Sequence, residues 1–459
     1  MKYIDFLRGK LAAAHAAGFE PGKLPGGLFD WQKSVTGWAV RKGRAALFED
    51  CGLGKTAQQL AWADQISREG NVLILAPLAV GRQTKREGAK FGLEVNLVER
   101  QADVKPGVNI TNYEKLGHFD PKGFAGVVLD ESSILKAYMG KVKRAVTEAF
   151  RNTPYRLCCT ATPAPNDLME LLNHAEFLGA MKSSEALSIW FANDQSESGK
   201  YRLKGHAQKD FWRWVASWAV CISKPSDIGF SDEGYSLPEL TERDEIVQVS
   251  DLAEDWTEGI FRKIETSATG FHAEKRRTLK ARCERTAEIA RSLGEQSMIW
   301  AYQNDEADEL RRLLPGAVEI RGGDSAEKKE RAALDFLDEK TQILISKPSI
   351  FGYGLNFQNC RNTIFCGLDY SFESYYQAVR RFYRFGQERP VRVWRAMGST
   401  ERHILDTISA KSRQKDEMQR SMAQAMRDYQ TEAICGRAFR LDVSPQKIEP
   451  PGWLRSEIA

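Results

Sequence analysis

The sequence predicts an α/β protein made of two parallel-sheet lobes, with a helical insertion between them and a C-terminal helical segment. Two observations carry that prediction. Short apolar runs of four or five residues recur along the chain, each ending in a small or polar residue and each followed by a helical or mixed stretch. Strands of that kind belong in parallel sheets buried on both faces. The runs also fall into two sets, separated by sequence of a different character. At 459 residues the chain has room for two large units with an insertion, or about three ordinary domains. An apolar fraction of 42% and a charged fraction of 28% exclude a disordered, collagenous or fibrous chain.

In chain order, Asp5, Arg8 and Lys10 interrupt what would otherwise read as a signal peptide, and the alanine-rich stretch 11–17 reads as an amphipathic helix. The first lobe, residues 1–180, contains the runs AALFED, NVLILAP, GVVLDES and RLCCTATP. Residues 181–292 are expected to form the insertion and a linker. They are rich in tryptophan, helical in pattern at first, then broken by Pro225, Gly229, Gly234 and Pro238, and helical again from 256. Trp212, Trp214 and Trp218 have near-helical spacing and are expected to pack inward. The second lobe, residues 293–411, holds SMIWAY, AVEIRGG, TQILISK, NTIFCGLD and VRVWRA. Residues 412–459 are expected to be helix to about 433 and then a tail closed by Pro450 and Pro451.

The eight cysteines include no C-x-x-C pair and no histidine spacing suited to zinc, so reduced thiols in a cytoplasmic protein are expected rather than a disulfide scaffold or a zinc site. The longest nearly apolar stretch, 214–222, is too short to span a bilayer. A net charge of +4 is too small to imply a polyanionic partner by itself. Residues 376–440, however, hold twelve arginines and two lysines against seven acidic residues, which suits either an anion-facing surface or a solvated helical face.

The strongest local signal is Asp50-Cys51-Gly52-Leu53-Gly54-Lys55-Thr56, after an apolar run and before a helical one. Glycines let the backbone wrap a phosphate, the amides of the following helix point at it, Lys55 supplies a charge, and the Thr56 hydroxyl suits Mg²⁺. The longer G-x-x-x-x-G-K-[ST] pattern fails because Glu49 stands at its first position, so the match is to the shorter G-x-G-K-T form. Asp130 and Glu131 close another apolar run, where a Mg²⁺-holding carboxylate and a water-orienting neighbour are expected. A third run ends in Thr160-Ala161-Thr162-Pro163. Three such ends on one sheet edge point to a nucleotide site. Upstream, Gln32 follows an aromatic pair and has a side-chain amide able to pair with both edges of an adenine ring. In the second lobe a glycine turn at 352–359 precedes Gln377-Ala378-Val379-Arg380-Arg381-Phe382-Tyr383-Arg384. Arg381 and Arg384 share a helix face and are expected to reach a phosphate across a cleft.

Order and spacing of these blocks resemble superfamily 2 helicases, and among them the Swi/Snf-type DNA translocases, over about residues 25–411. The matching blocks are LFDWQ, DCGLGKT, LAPLAV, ITNYEKL, DESSILK, TATPAPN, MIWAYQN, GYGLNFQN, QAVRRFYRFGQ and STERHIL with Lys411. Small phage or prophage members are the most similar. The resemblance implies two RecA-like lobes closing on ATP and Mg²⁺ and moving along DNA, duplex by preference and without regard to sequence. It implies that Gln32 reads adenine, that Gly52, Leu53, Gly54, Lys55 and Thr56 hold phosphates, and that Thr56 and Asp130 hold Mg²⁺. Gly354 and Gln377 would contact nucleotide from the second lobe. Glu131 would polarise the attacking water, and Arg381 and Arg384 would act on the γ-phosphate. Pro77 with Leu78, Thr111, Thr160, Thr162 and Asn356 would contact or sense the nucleic acid. Ser132-Ser133 depart from the family, which often has Ala or Gly followed by His there, and Cys51 replaces a common Met. Strand separation on single-stranded DNA or RNA, and service as the motor subunit of a restriction-type complex with a partner protein, remain the alternatives. No nuclease constellation stands out.

Overall fold

The computed structural model describes residues 17–434, apart from 78–79, 137–139, 165–166, 194–200, 234, 236, 248–267, 352–355 and 399–400. The expected helix at 11–17, the C-terminal tail, Leu78 and Gly354 therefore lie outside or almost outside the described residues. The first sheet uses β1 (Arg44–Glu49), β2 (Val72–Ala76), β3 (Val95–Leu97), β4 (Val108–Asn112), β5 (Gly126–Asp130) and β6 (Tyr155–Thr160). A short antiparallel hairpin, β7 (Phe191–Asn193) with β8 (Tyr201–Leu203), follows, and β9 (Ala219–Ile222) then returns to the sheet. Its order is β3-β4-β2-β5-β6-β1-β9, all parallel. The second sheet contains β10 (Leu240–Val247), β11 (Ser297–Ala301), β12 (Val318–Glu319), β13 (Ile343–Ser346), β14 (Asn362–Cys366) and β15 (Val391–Gly398). It is ordered β10-β15-β14-β11-β13-β12, also all parallel.

Central strands such as β2 and β14 are buried at every residue, as the continuous apolar runs require when helices cover both faces. Each lobe accordingly has a core cluster on either side of its sheet. Because all strands of a sheet run the same way, the ends of β1, β5 and β6 fall on one edge. That edge carries the glycine loop, Asp130-Glu131 and Thr160.

The expected insertion at 181–292 is not a unit of its own. Its strand β9 is the edge of the first sheet, beside β1, and β10 is the edge of the second, beside β15. The helix Ala268–Leu293 packs on β14, β15 and the helix Asn304–Leu313, so it belongs to the second lobe. Trp218 is fully buried, and Trp212 and Trp214 are half-buried against the same first-lobe core. The C-terminal helix, Arg402–Ile434, starts in the second lobe, where Ile404 and Ile408 join its core. It ends on the first, where Met422, Ala423 and Met426 join that core instead. No helix among the described residues is long and apolar enough to cross a membrane. The seven described cysteines are free, and no group of three or more metal-ligating side chains occurs among the described residues.

Candidate functional site

The site begins with two glycines. Gly52 and Gly54 have φ of +90° and +80°, which other residues rarely adopt. A Cβ on Gly54 would lie 2.4 Å from Gln32 Nε2, and one on Gly52 would lie 2.6 Å from the backbone nitrogen of Phe385 in the other lobe. The loop is thus threaded between its own lobe and the arginine-bearing segment of the second. Lys55 opens the helix Lys55–Ile66, and its ammonium donates to the Glu49 and Asp50 carbonyls at 2.7 and 3.0 Å. Thr56 is half-buried beside it.

Gln32 sits in the first turn of the helix Asp30–Lys42 and is 5% exposed. Its oxygen accepts from Phe29 N–H at 3.0 Å, and its Nε2 donates to Leu53 O at 2.8 Å. The expectation that Gln32 reads adenine therefore meets an amide whose two ends are already engaged in pinning the loop. Beside it Phe29, Tyr235 and Phe385 form an aromatic cluster across the lobes, with Tyr235 and Phe385 stacked at 4.7 Å.

At the end of β5, burial and the adjacent Glu131 raise the Asp130 pKa to about 6, while Lys55 opposes the rise. A buried carboxyl beside a second carboxylate favours a bound cation. Glu131 itself has left-handed backbone, φ 56° and ψ 56°. Its Oε1 accepts from Thr160 Oγ1 at 2.7 Å, and Thr160 Oγ1 in turn accepts from Thr162 N–H at 3.1 Å. Just before the loop, Glu49 is fully buried, its Oε2 accepting from Gln58 at 2.7 Å and its Oε1 without a partner. Burial pushes its pKa to about 7 despite Lys55 nearby.

From the second lobe, Arg381 is 7% exposed and donates to the Gln377 carbonyl and side-chain oxygen, both at 3.0 Å. Arg384 has a buried Nε without a partner, and burial beside Arg381 lowers its pKa to about 10. Sequence reasoning passed over the residues that join the lobes here. Asp50 accepts from Tyr376 Oη at 2.6 Å and from Arg380 Nη2 at 3.3 Å, while Lys415 of the C-terminal helix lies 3.6 Å from Asp50 and donates to Tyr376 Oη at 2.7 Å. These cations hold the Asp50 carboxyl far below its ordinary range despite its burial. Arg380 was within reach of a sequence argument, being next to Arg381; nothing in the spacing marks Tyr376 or Lys415.

Of the residues expected to contact or sense the nucleic acid, the three threonines are buried. Thr111, Thr160 and Thr162 are 7%, 0% and 2% exposed, so their hydroxyls do not face solvent. Asn356 bonds Gln358, and Pro77 is half-buried. Part of the basic run is consumed internally: Arg392 pairs with Glu295, and Arg395 with Glu242 and Asp244.

Residues 280–386, which include β11 to β14 and the arginine segment, match the helicase conserved C-terminal domain. Over 161 residues, 32% of this chain and 17% of the relative, the chain is 29% identical to the SWI/SNF-related matrix-associated actin-dependent regulator of chromatin subfamily A-like protein 1 of Xenopus laevis. With the Bos taurus protein of the same name the identity is 22% over 430 residues, 85% of this chain and 44% of the relative. The chain is thus similar to Swi/Snf-related proteins, and its residues 280–386 match a helicase domain. Its two parallel-sheet lobes have the sheet arrangement that the resemblance implies. A Swi/Snf core from Sulfolobus solfataricus, solved in complex with dsDNA, is 18% identical with a TM-score of 0.40, covering 91% of this chain and 98% of that one. The chain spans about a sixth of the length of the first curated relatives it matches.

Proposed function

We propose that the chain hydrolyses ATP to move along DNA, duplex by preference, holding it through phosphates and not by sequence. The observation that supports this most is the approach of the Arg384–Phe385 backbone to Gly52, which sets the arginine-bearing segment of the second lobe against the first lobe's lysine loop. Lysine and paired carboxylates on one side of a seam, and arginines on the other, suit a polyphosphate that reacts only when the seam is shut.

In this reading Lys55 exchanges its two backbone carbonyls for phosphate oxygens. Thr56 and Asp130 would hold Mg²⁺, a hydroxyl and a carboxylate beside the lysine loop being the hard oxygen ligands it takes. Bound there, Mg²⁺ would supply positive charge where negative charge builds on the phosphates. Glu131 orients the water whose oxygen bonds the γ-phosphorus as the bond to the β-bridging oxygen breaks, and takes its proton. Arg384, with Arg381 beside it, stabilises the charge on the transferring group. Phe29, half exposed next to Gln32, offers a ring for the base. The family resemblance and the chromatin-associated relatives support DNA as the track. Nucleic acid is sensed through the chain Thr162 N–H, Thr160 hydroxyl, Glu131, since those hydroxyls are buried. The working compartment is the cytoplasm, and a small phage-type member is the nearest description.

ATP turnover measured with plasmid duplex, single-stranded DNA and RNA, beside a strand-displacement assay, tests this. Duplex should stimulate most, and Lys55→Ala and Glu131→Gln should each abolish the stimulated rate. Turnover near the parental rate in either variant would refute the site assignment. Arg384→Ala should keep nucleotide binding and lose on the order of 10³-fold in turnover; weakened binding with normal turnover would count against the finger role.

A further inference from the structure

Ser133 stands where the family often has histidine, and its surroundings are unusual. It is 3% exposed, in the short turn after Glu131. Its hydroxyl lies 3.2 Å from Glu131 Oε1 in its own lobe and 3.3 Å from Glu373 Oε1 in the other. The second oxygen of Glu373 is paired with Lys136, three residues beyond Ser133. Glu373 is in the first turn of the helix Phe372–Val379, which leads directly into Arg380, Arg381 and Arg384. Glu131, meanwhile, is held in left-handed backbone that non-glycine residues enter only when their surroundings impose it.

A serine hydroxyl has one hydrogen. Two carboxylate oxygens from different lobes face it at nearly equal range, so it serves one fully only by weakening its hold on the other. We infer that Ser133 is a positioning residue that ties the orientation of Glu131 to the place of the second lobe through Glu373. With Glu373 drawn in by Lys136, the hydroxyl turns to Glu373, and Glu131 keeps only the Thr160 restraint, leaving a lone pair for water. When the lobes part, Glu373 leaves with its helix and the hydroxyl returns to Glu131. The helix that carries Glu373 leads straight into the arginines, so release of Glu131 coincides with their arrival. This inference rests on the hydrolytic role proposed for Glu131.

The test is the ratio of ATP turnover with plasmid duplex to turnover without it, in Ser133→Ala, Glu373→Ala and the double variant, with KM for ATP measured in each. Each single variant should lower the ratio about fivefold, with KM changed less than about twofold, and the double should be no worse than the worse single, because both act through one contact. A ratio in Ser133→Ala within about twofold of the parent, or single losses that multiply in the double, would overturn the inference. Glu131→Gln in the same assay separates the two levels: parental turnover there refutes the hydrolytic reading, whereas loss there beside an unaffected Ser133→Ala refutes only the coupling.

Discussion

Glu49 is a carboxyl with no exposure, one oxygen unpartnered and a pKa raised from 4.5 to about 7. The folded state therefore binds its proton more tightly than the unfolded chain does. Its contribution to stability is complete below pH 4.5 and is lost as pH rises to about 7, by about 3 kcal/mol. Urea midpoints taken from pH 5 to 8 should fall more steeply for the parent than for Glu49→Gln, which cannot ionise; parallel curves would show that Glu49 is charged in the fold throughout. At this scale the sequence was informative where chemistry is contiguous. Asp130 and Glu131 close a strand, and Lys55 and Thr56 open the helix that follows the loop after another, both strands being visible as apolar runs. Asp50 was visible only as a neighbour of the loop, because its partners Tyr376 and Lys415 are more than 300 residues away and no local period links them. For Gln32 the motif does not announce the partners: in the fold its amide engages Phe29 and Leu53.

Among the elements, β9 and the C-terminal helix depend on each other. β9 is the last strand of its sheet, and an unpaired edge exposes backbone groups that must be satisfied. Gln430 does this with one amide, accepting from Cys221 N–H and donating to Cys221 O, both at 3.1 Å. Gln430→Ala should leave that buried pair unmet and cost about 1–3 kcal/mol, read as a lower urea midpoint with unchanged slope. Every strand of the second sheet except β10 was legible as an apolar run. β10, LTERDEIV, is half-buried to exposed along its length and carries no such run, since it lies at the sheet edge. β3 and β4 were missed because VNL is only three residues long and VNITN mixes apolar with amide side chains. β9 was visible as an apolar run but was taken for part of an insertion, because the tryptophan-rich helix before it hides that the chain has returned to the first sheet.

For the whole molecule, the C-terminal helix decides cooperativity. With Ile404 and Ile408 in one core and Met422 and Met426 in the other, neither lobe should melt without disturbing the second. Calorimetry should give a single transition for the parent, and two for Met422→Asp with Met426→Asp, since burying charge there costs more than detaching the helix. A single transition in that double variant would mean that other contacts bind the lobes. The arrangement also has a bearing on synthesis. Residues 17–222 emerge from the ribosome long before Met422 and Gln430, and at about 5–20 residues per second the interval is roughly ten to forty seconds. During it the nascent half exposes an uncovered apolar face and an open strand edge, so this polypeptide invites chaperone capture until its final helix is made.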